Sequence, residues 1–490
     1  MLLAGIALRW TIPLNLDVAW FLIAAGRMMA GGSYSADFFD MNMPLAIALY
    51  IPPQALHLAT GISVNSALTA WSVALIVQCL VLVRALGRSS ADRAIRALTS
   101  APGLAWLAFV LVSMPVYDFG QREHLAFALF LPFIVMLADE RPPSRSPLRT
   151  YVSILAAIGF MLKPHYAALP VLLLSIRAWR LGSLAPFREV EMMSLLMVGL
   201  CNALVVCLRF PDWFTCAHWA MDLYGAYHRN SIIDLAAHVL VWSWLPAIAV
   251  FVVATGRARC RGPLLQMLFC TVAYGIVVFV LQFKGWRYQL LPALSALMMA
   301  VPALWVRGRD IADDAPGNGW RRSLALLMAG ASLVPIAIAQ ETAPRVYQMP
   351  RSLIAKALSP AAAGDYVYCL STSVEPFFPT ITLLGLQWGS RFSPLWPMAG
   401  LGAAIQAGDV RSHDLLNRYY GPLMSAVNAD FLRYQPTLVI VDRRDDQMGI
   451  PPGFDMLGFM LHDPAFRQTW SSYQRIGASA DFEVYARSAP

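Results

Sequence analysis

The chain has 490 residues, of which 58% are hydrophobic and only 13% are charged, and its formal net charge is +8 at pH 7. Soluble domains have about 25% charged residues, so this composition excludes an ordinary soluble enzyme and indicates several membrane spans. The arginines stand in short clusters between apolar runs, where positive charge sets membrane orientation, and this argues against nucleic acid as a partner.

Apolar runs long enough to cross a bilayer recur along the first 340 residues. A span needs roughly 20 residues, because an α-helix rises about 1.5 Å per residue through a hydrocarbon core about 30 Å thick. The runs predict about eleven transmembrane helices, near residues 1–15, 64–83, 99–115, 123–138, 150–162, 165–177, 190–208, 235–254, 264–282, 287–305 and 323–340. We interpret 150–177 as a hairpin bent at Lys163 and Pro164, because one long helix would reverse the orientation of every later loop.

The arginines orient these spans. They form clusters in alternate loops, at residues 84–96, 141–149, 177–188, 257–261 and 307–322. Loops rich in basic residues stay in the cytoplasm, so all five clusters and the amino terminus are expected there. The loop 15–62, the intervening tips and the carboxy-terminal tail then face outward.

The tail has the pattern of a soluble domain. Short β-like runs stand at 365–372, 437–442 and 481–487, and a helical pattern covers 412–433. Proline and glycine separate these runs, as is typical of a small α/β domain. We therefore predict a polytopic α-helical membrane domain at 1–342, including the outward loop 15–62, and a small extracytoplasmic α/β domain at 343–490.

Asp17 follows the first apolar run directly and opens the outward loop. An aspartate here is typical of a helix N-terminus, where backbone N–H groups and the helix dipole favour it. The same outer loop carries Asp37 and Asp40, and a carboxylate in such company has the chemistry to deprotonate a substrate hydroxyl while the others orient the acceptor. Both interpretations stay open from the residues alone.

The outward tip YDFGQREHL, residues 117–125, holds Asp118, Arg122, Glu123 and His124. A charged turn satisfied by its own ion pair would explain part of this set, although surface pairs of that kind stabilise little. The density of acid, base and cation favours a functional site, because neighbouring titratable groups perturb one another there.

Basic residues also mark two later tips. Only three lysines occur in the chain, and two of them, Lys163 and Lys284, stand at outward tips. Together with His165, Arg287 and Tyr288 they suit a phosphate head group at the bilayer surface. Extension of each cation to the membrane interface is the alternative explanation.

The outward segment WFTCAHWAMDLYGAYHRN, residues 213–230, is aromatic and polar and includes His228. It fits an interfacial belt of Trp and Tyr as well as a platform for a sugar. The cytoplasmic loops contain no GxxxxGK[ST] motif for a nucleotide, and the seven cysteines show no metal-ligand spacing. The cofactor is therefore unknown, and dependence on a divalent metal is left open.

The order of these motifs resembles the GT-C superfamily of integral-membrane glycosyltransferases, in particular its protein mannosyltransferase and aminoarabinose transferase branch. An aspartate after the first span is followed by a G-x-Y-x-x-D-F-x-x-x-N-x-P-like segment, here Gly32, Tyr34, Asp37, Phe38, Asn42 and Pro44. LKPHY at 162–166 is similar to that branch's tKgP hairpin, and FKGWRYQLLP at 283–292 resembles its late basic and aromatic tip. The resemblance covers about 340 residues, and the motif order is its specific part.

The resemblance implies a polyprenyl-phosphate sugar donor and inverting transfer to a glycan, lipid or protein acceptor of the cell envelope. The protein would be a multi-pass protein of the bacterial inner membrane, in contact with membrane lipids, with a periplasmic carboxy-terminal domain.

The resemblance also implies roles for particular residues. Asp17 would be the base or the acceptor-orienting carboxylate, and Asp118 or Glu123 the second acid. The donor phosphate would be held by Lys163, Arg287, Lys284 and Arg122, and the acceptor would contact Asp37, Asp40, His124, His165, Tyr288 and His228. Val18 stands where many relatives carry a second acidic residue, which weakens any inference of a metal held by paired carboxylates.

Two other classes of protein compete with the enzyme. A transporter or flippase for a lipid-linked glycan would use the same cations along its path, but it would place charges within the spans, whereas here they concentrate at the tips. A scaffold of an envelope assembly, with the tail as its interaction module, would not need the outward cluster of acids and cations.

Overall fold

A computed structural model describes residues 14–88, 90–139, 146–226, 229–242, 262–312 and 353–488. The described chain is mostly helical, with one five-stranded sheet near the carboxy terminus. It divides into two compact units. The first unit comprises Met1–Pro13, Leu56–Val205 and Asn230–Ala343. The second unit comprises Leu14–Ala55, Val206–Arg229 and Pro344–Pro490.

The helices and strands are numbered in chain order. The helices are α1 Leu16–Met29, α2 Pro44–Ala48, α3 Ile51–Thr60, α4 Val64–Gly87, α5 Arg93–Thr99, α6 Ala101–Val112, α7 Arg122–Ala138, α8 Pro147–Met161, α9 Ala168–Leu181, α10 Val190–Arg209, α11 Trp213–Leu223, α12 Ile232–Trp242, α13 Pro263–Gln282, α14 Leu291–Ala312, α15 Phe377–Leu383, α16 Trp396–Ala407, α17 Val410–Tyr434, α18 Met456–Met460 and α19 Pro464–Trp470. The strands are β1 Tyr366–Leu370, β2 Gln387–Trp388, β3 Leu438–Asp442, β4 Tyr473–Ala478 and β5 Phe482–Arg487. Short 3₁₀ turns lie at Val116–Asp118, Pro164–Ala167, Ala185–Arg188, Tyr224–Ala226 and Arg287–Leu290.

Membrane-spanning helices occur in the first part of the chain. Among the described residues, α4, α10 and α13 are each long and apolar enough to cross a bilayer, and α5 with α6 qualifies as a fourth span despite a 66° bend. The predicted spans near 1–15 and 323–340 fall almost entirely outside the described residues, and the one near 235–254 is described only as far as Trp242. The count of eleven therefore stays a prediction.

The predicted break within 150–177 is present, whereas the antiparallel packing of the two helices stays a prediction. Helix α8 ends at Met161 and α9 begins at Ala168, with a 3₁₀ turn between them. Lys163 has an extended backbone (φ −137°, ψ 132°), because the residue before a proline is disfavoured in the α region. The sequence LKPHY thus ends one helix and places Lys163 at a tip.

The sheet of the second unit has the strand order β2-β1-β3-β5-β4. Strand β1 runs parallel to β2 and β3, while β5 runs antiparallel to β3 and β4. All five residues of β3, LVIVD, are buried, as expected of a central strand with β-branched residues covered on both faces. The predicted strands at 365–372, 437–442 and 481–487 are confirmed.

The second unit also includes the outward loop. Helix α1 packs against α15, and Arg27 on α1 donates hydrogen bonds of 2.6 Å to the carbonyl oxygens of Asp37 and Ser390. A third bond from Arg27 goes to the carbonyl of Trp388. This compact unit therefore holds more than the predicted α/β domain at 343–490, because residues 14–55 and 206–229 belong to it.

Candidate active site

Three tips of the first unit come together at helix ends. They are the turn 115–124 between α6 and α7, the turn 162–166 between α8 and α9, and the turn 283–290 between α13 and α14. Their side chains form two ion pairs and a ring contact. These contacts join predicted site residues that are far apart in the sequence.

The first ion pair joins Arg287 to Asp118. Arg287 Nε donates to Asp118 Oδ2 at 2.8 Å, and its Nη2 donates to the carbonyl oxygen of Pro115 at 2.7 Å. The carboxylate is almost buried, with 8% of the side chain exposed. A charge-assisted bond in this setting is stronger than one between exposed groups. The last tip is therefore held against the first.

The backbone around Asp118 is strained. Val116 has φ +50°, a left-handed conformation that is rare for a β-branched residue. Gly120 has φ +81°, which a glycine adopts without that cost. Strain of this kind, on the order of 1–3 kcal/mol per residue, persists where surrounding structure enforces it and clusters at functional sites.

The second ion pair joins Glu123 to Lys163. Glu123 lies in the first turn of α7 with a fully buried side chain, and it pairs with Lys163 Nζ. The helix N-terminus adds a favourable field for this carboxylate. Lys163 Nζ also lies 5.5 Å from the ring centroid of Tyr288, which places the second tip beside the third.

Further cations lie buried at these tips. Arg122 and Lys284 are 4% and 8% exposed. Arg122 lies close enough to Glu123 to interact with it electrostatically. Ammonium and guanidinium groups of this kind match both the charge and the hydrogen-bonding geometry of a phosphate.

The tip that carries Lys284 has an unusual backbone. Phe283 and Gly285, on either side of Lys284, have φ values of +53° and +69°. Asn230 Nδ2 donates to the carbonyl oxygen of Lys284 at 2.7 Å, and the Asn230 N–H donates to that of Phe283 at 2.8 Å. Asn230 thus holds the tip in place. The sequence analysis did not assign it a role, because an asparagine ahead of a helix carries no distinguishing signal.

Two of the three predicted histidines have different environments. His124 is buried; its Nδ1 accepts from the Gly120 N–H at 3.1 Å, and its Nε2 lies 2.6 Å from the carbonyl oxygen of Leu111. These bonds fasten the turn to α6, and the contact of His124 with an acceptor stays a prediction. His165 is half-buried, and its Nε2 has no hydrogen-bond partner among the described residues. The hydroxyl of Tyr274, a residue that the sequence analysis did not single out, donates to the backbone carbonyl of His165.

Asp17 belongs to the second unit. It lies in the first turn of α1, half-buried, and its backbone N–H donates to the side chain of Asn15 at 2.9 Å. The helix N-terminus expected from sequence is therefore present. His228 lies outside the described residues.

Asp37 and Asp40 have intramolecular partners. Asp40 accepts from Trp20 Nε1 at 2.6 Å and from the backbone and side-chain amides of Asn42 at 2.7 and 2.6 Å. Asp37 accepts from the Ser33 N–H at 2.8 Å and pairs with Arg433 at 2.7 Å. These bonds shape the loop, and the contact of the two carboxylates with an acceptor stays a prediction.

A comparison with known proteins identifies one solved structure with a similar fold. No family model matches the chain, and no curated protein matches it. The crystal structure of ArnT from Cupriavidus metallidurans in the apo state superposes with a TM-score of 0.52, covering 98% of this chain and 95% of that one at 12% sequence identity. The chain therefore has a GT-C-like fold, as the order of the sequence motifs predicted.

Among the described residues, no group of three or more His, Cys, Asp or Glu side chains has the geometry to hold a metal ion.

Proposed function

We propose that the chain is an inverting glycosyltransferase of the bacterial inner membrane. It moves a sugar from a polyprenyl-phosphate donor to a cell-envelope acceptor on the extracytoplasmic side. The observation that carries this proposal is the convergence of Lys163 and Arg287, with Glu123 and Asp118, in a chain of GT-C-like fold. Such a cluster suits the phosphate of a donor lipid at a helix-end tip.

The proposed reaction is a single displacement. The acceptor hydroxyl oxygen forms a bond to the anomeric carbon while the bond from that carbon to the phosphate oxygen breaks. The electron pair leaves with the lipid phosphate, and the acceptor proton passes to a carboxylate. Cations placed at the leaving oxygen stabilise its growing charge, and this electrostatic effect is commonly the largest in such catalysis.

The two ion pairs order the cations of the proposed donor site before the donor binds. Lys163 and Arg287 are held by carboxylates before the donor arrives, so their ammonium and guanidinium groups are ordered at low entropic cost. The donor phosphate is proposed to bind to Lys163 and Arg287 and thereby to weaken their bonds to Glu123 and Asp118. One of these acids then serves as the second carboxylate of the reaction.

Asp17 is the proposed base. The motif order supports this role, and Asp17 lies half-buried in the first turn of α1.

The proposal is tested by sugar transfer in detergent micelles. Purified full-length protein is given a radiolabelled polyprenyl-phosphate sugar and an envelope lipid extract as acceptor, with and without EDTA. Asp17→Asn should abolish transfer while the protein stays monodisperse. Asp414→Asn, at an exposed position of α17, is the matched control and should transfer at the wild-type rate. Full transfer by Asp17→Asn contradicts the assignment of the base.

The same assay separates the enzyme from a flippase. Micelles have no sealed compartments, so a transporter has no gradient or second leaflet to act on. Formation of a new glycosidic bond in micelles therefore requires a transferase. Movement of the donor across sealed vesicles without any transfer would favour the flippase instead.

A further inference from the structure

The carboxyl ends of β1 and β3 form a point where the chain connections diverge. From β1 the chain passes through α15 to β2 on one side, and from β3 it passes through α18 and α19 to β4 on the other. Right-handed crossovers place such connections on opposite faces of the sheet. Accordingly α15 packs with α1, whereas α19 packs with α17. In open α/β sheets, ligands bind in the crevice at such a switch point.

Polar side chains border this crevice. Ser371, Thr372 and Ser373 follow β1, and Asp442, Arg444 and Gln447 end or follow β3. Ser371 Oγ donates to Asp442 Oδ2 at 2.7 Å, and the Met448 N–H donates to Ser373 Oγ at 3.3 Å. The loops after the two strands are therefore linked to each other by side-chain bonds.

Two buried polar atoms in these loops lack a partner among the described residues. They are Thr372 Oγ1, on a side chain with 0% exposure, and Gln447 Oε1, on one with 5% exposure. The Gln447 amide is fixed, because its Nε2 donates to the carbonyl oxygens of Asp442 at 3.0 Å and Arg444 at 3.2 Å. Buried polar groups are nearly always paired, so two such atoms at a switch point, without a partner among the described residues, are available to a ligand.

The charges of the neighbouring side chains indicate which class of ligand binds here. Arg444 is engaged by Asp442 through bonds of 3.0 and 2.8 Å, so the pair is neutral, and the Asp442 carboxylate repels an anion. A ligand hydroxyl group has the chemistry to pair with either atom, since it accepts from the Thr372 hydroxyl and donates to Gln447 Oε1. The partly exposed Arg444 and the exposed Asp446, 3.8 Å apart, stand at the edge of the crevice.

We propose that this crevice binds a saccharide unit through its hydroxyl groups. The site lies within the sheet of the second unit. It is distinct from the cation cluster of the first unit, which consists of Lys163 and Arg287 with their partners Glu123 and Asp118. The inference does not depend on the transfer reaction, because binding is measured without donor lipid and without turnover.

The test uses a matched pair of isosteric variants. Thr372→Val removes the hydroxyl in the crevice, and Thr382→Val removes another hydroxyl without a partner among the described residues, near the end of α15. Neither change breaks a hydrogen bond of that hydroxyl to the described part of the chain, so both variants should fold and should match or exceed the wild-type Tm. Full-length protein in detergent is titrated with D-glucose, D-mannose, D-galactose and N-acetylglucosamine by saturation-transfer NMR.

The expected result is binding of at least one of these sugars to the wild type and to Thr382→Val, with affinity reduced about tenfold in Thr372→Val. Three results overturn the proposal. They are no binding of any of the four sugars, equal binding by Thr372→Val, and displacement of the bound sugar by inorganic phosphate, which would mark an anion site. Loss of sugar transfer in other variants leaves this measurement unaffected.

Discussion

At the scale of single residues, the Glu123–Lys163 pair shows how burial raises the free-energy cost of a charge that lacks its partner. Glu123 has no exposed side-chain surface, and Lys163 is nearly buried as well. Two opposite charges in such a place are tolerated together, but either one alone is an uncompensated buried charge. The pair therefore makes stability and function hard to separate by a single substitution.

Glu123→Gln should destabilise the protein by about 3–5 kcal/mol, the usual cost of breaking a buried ion pair from one side. The double variant Glu123→Gln with Lys163→Met should recover most of that loss, because neither member of the pair is then left as a charge without the other. Thermal unfolding of the full-length protein in detergent measures both. If the double variant is no more stable than Glu123→Gln, the pair is not the source of the stability.

Residue identity alone could predict which groups stand at the tips but not what they bind. Lys163, Arg287 and Tyr288 were found because they interrupt apolar runs. The sequence analysis predicted that Asp37 and Asp40 contact an acceptor, and it did not predict their partners Arg433 and Trp20 within the chain. Partners this distant along the chain depend on tertiary packing, which local patterns do not report.

At the scale of elements, the turn before α7 has a defined and strained shape that presents Asp118 to Arg287. Gly120 is central to it. A Cβ at Gly120 would lie 3.2 Å from the Leu68 side chain, and the residue has φ +81°. Gly182 offers a comparison, since it ends α9 with φ +60° and a Cβ there would meet nothing within 4 Å.

Gly120→Ala should therefore lower both stability and sugar transfer, whereas Gly182→Ala should cost only the backbone penalty of roughly 1–2 kcal/mol and keep full activity. Unfolding in detergent and the initial rate of transfer check the two variants in parallel. Equal activity of the two variants would show that the shape of this turn does not matter to the site.

Helices such as α4 and α7 could be predicted from the sequence because a long apolar run is a strong signal, whereas α1 lies in the segment predicted as an outward loop. The break between α8 and α9 was also predictable, since Lys163 precedes a proline. The convergence of the three tips was not, because it depends on how α7, α8, α13 and α14 pack, and helices of uniform hydrophobicity carry little information about which faces meet.

At the scale of the whole molecule, the second unit joins three separated stretches of chain. One link is formed by Asp222 on α11, which accepts hydrogen bonds from the Tyr419 hydroxyl and from Arg418 at 3.2 Å, both on α17. The Tyr419 hydroxyl, with the nearby His218 and Arg418, holds the pKa of Asp222 below its ordinary value.

This shift predicts a pH dependence. A carboxylate whose pKa is lower in the folded protein stabilises it above the unfolded pKa of about 3.9, and that contribution is lost as pH falls through the folded value. The Tm of wild type minus that of Asp222→Asn should therefore be positive at pH 5 and should shrink by pH 3. A difference that stays constant between these pH values would contradict the assignment.

The architecture of the whole molecule was predicted in outline from the order of motifs, and the fold comparison supports the same class. The grouping of residues 14–55 and 206–229 with the sheet could not be predicted. It rests on bonds such as those from Arg27 to the carbonyls of Ser390 and Trp388, which join positions about 360 residues apart in the printed sequence.

The central claim is that the cation cluster binds the phosphate of a lipid-linked sugar donor for transfer. The most direct test is kcat/KM for the donor in micelles, measured on folded, monodisperse protein. We compare wild type, the charge-balanced double variant Glu123→Gln with Lys163→Met, and Lys356→Met, whose lysine is exposed in the second unit. The account predicts a loss of about 10²–10³ in the double variant and no change in Lys356→Met. Wild-type kinetics in the double variant would contradict it.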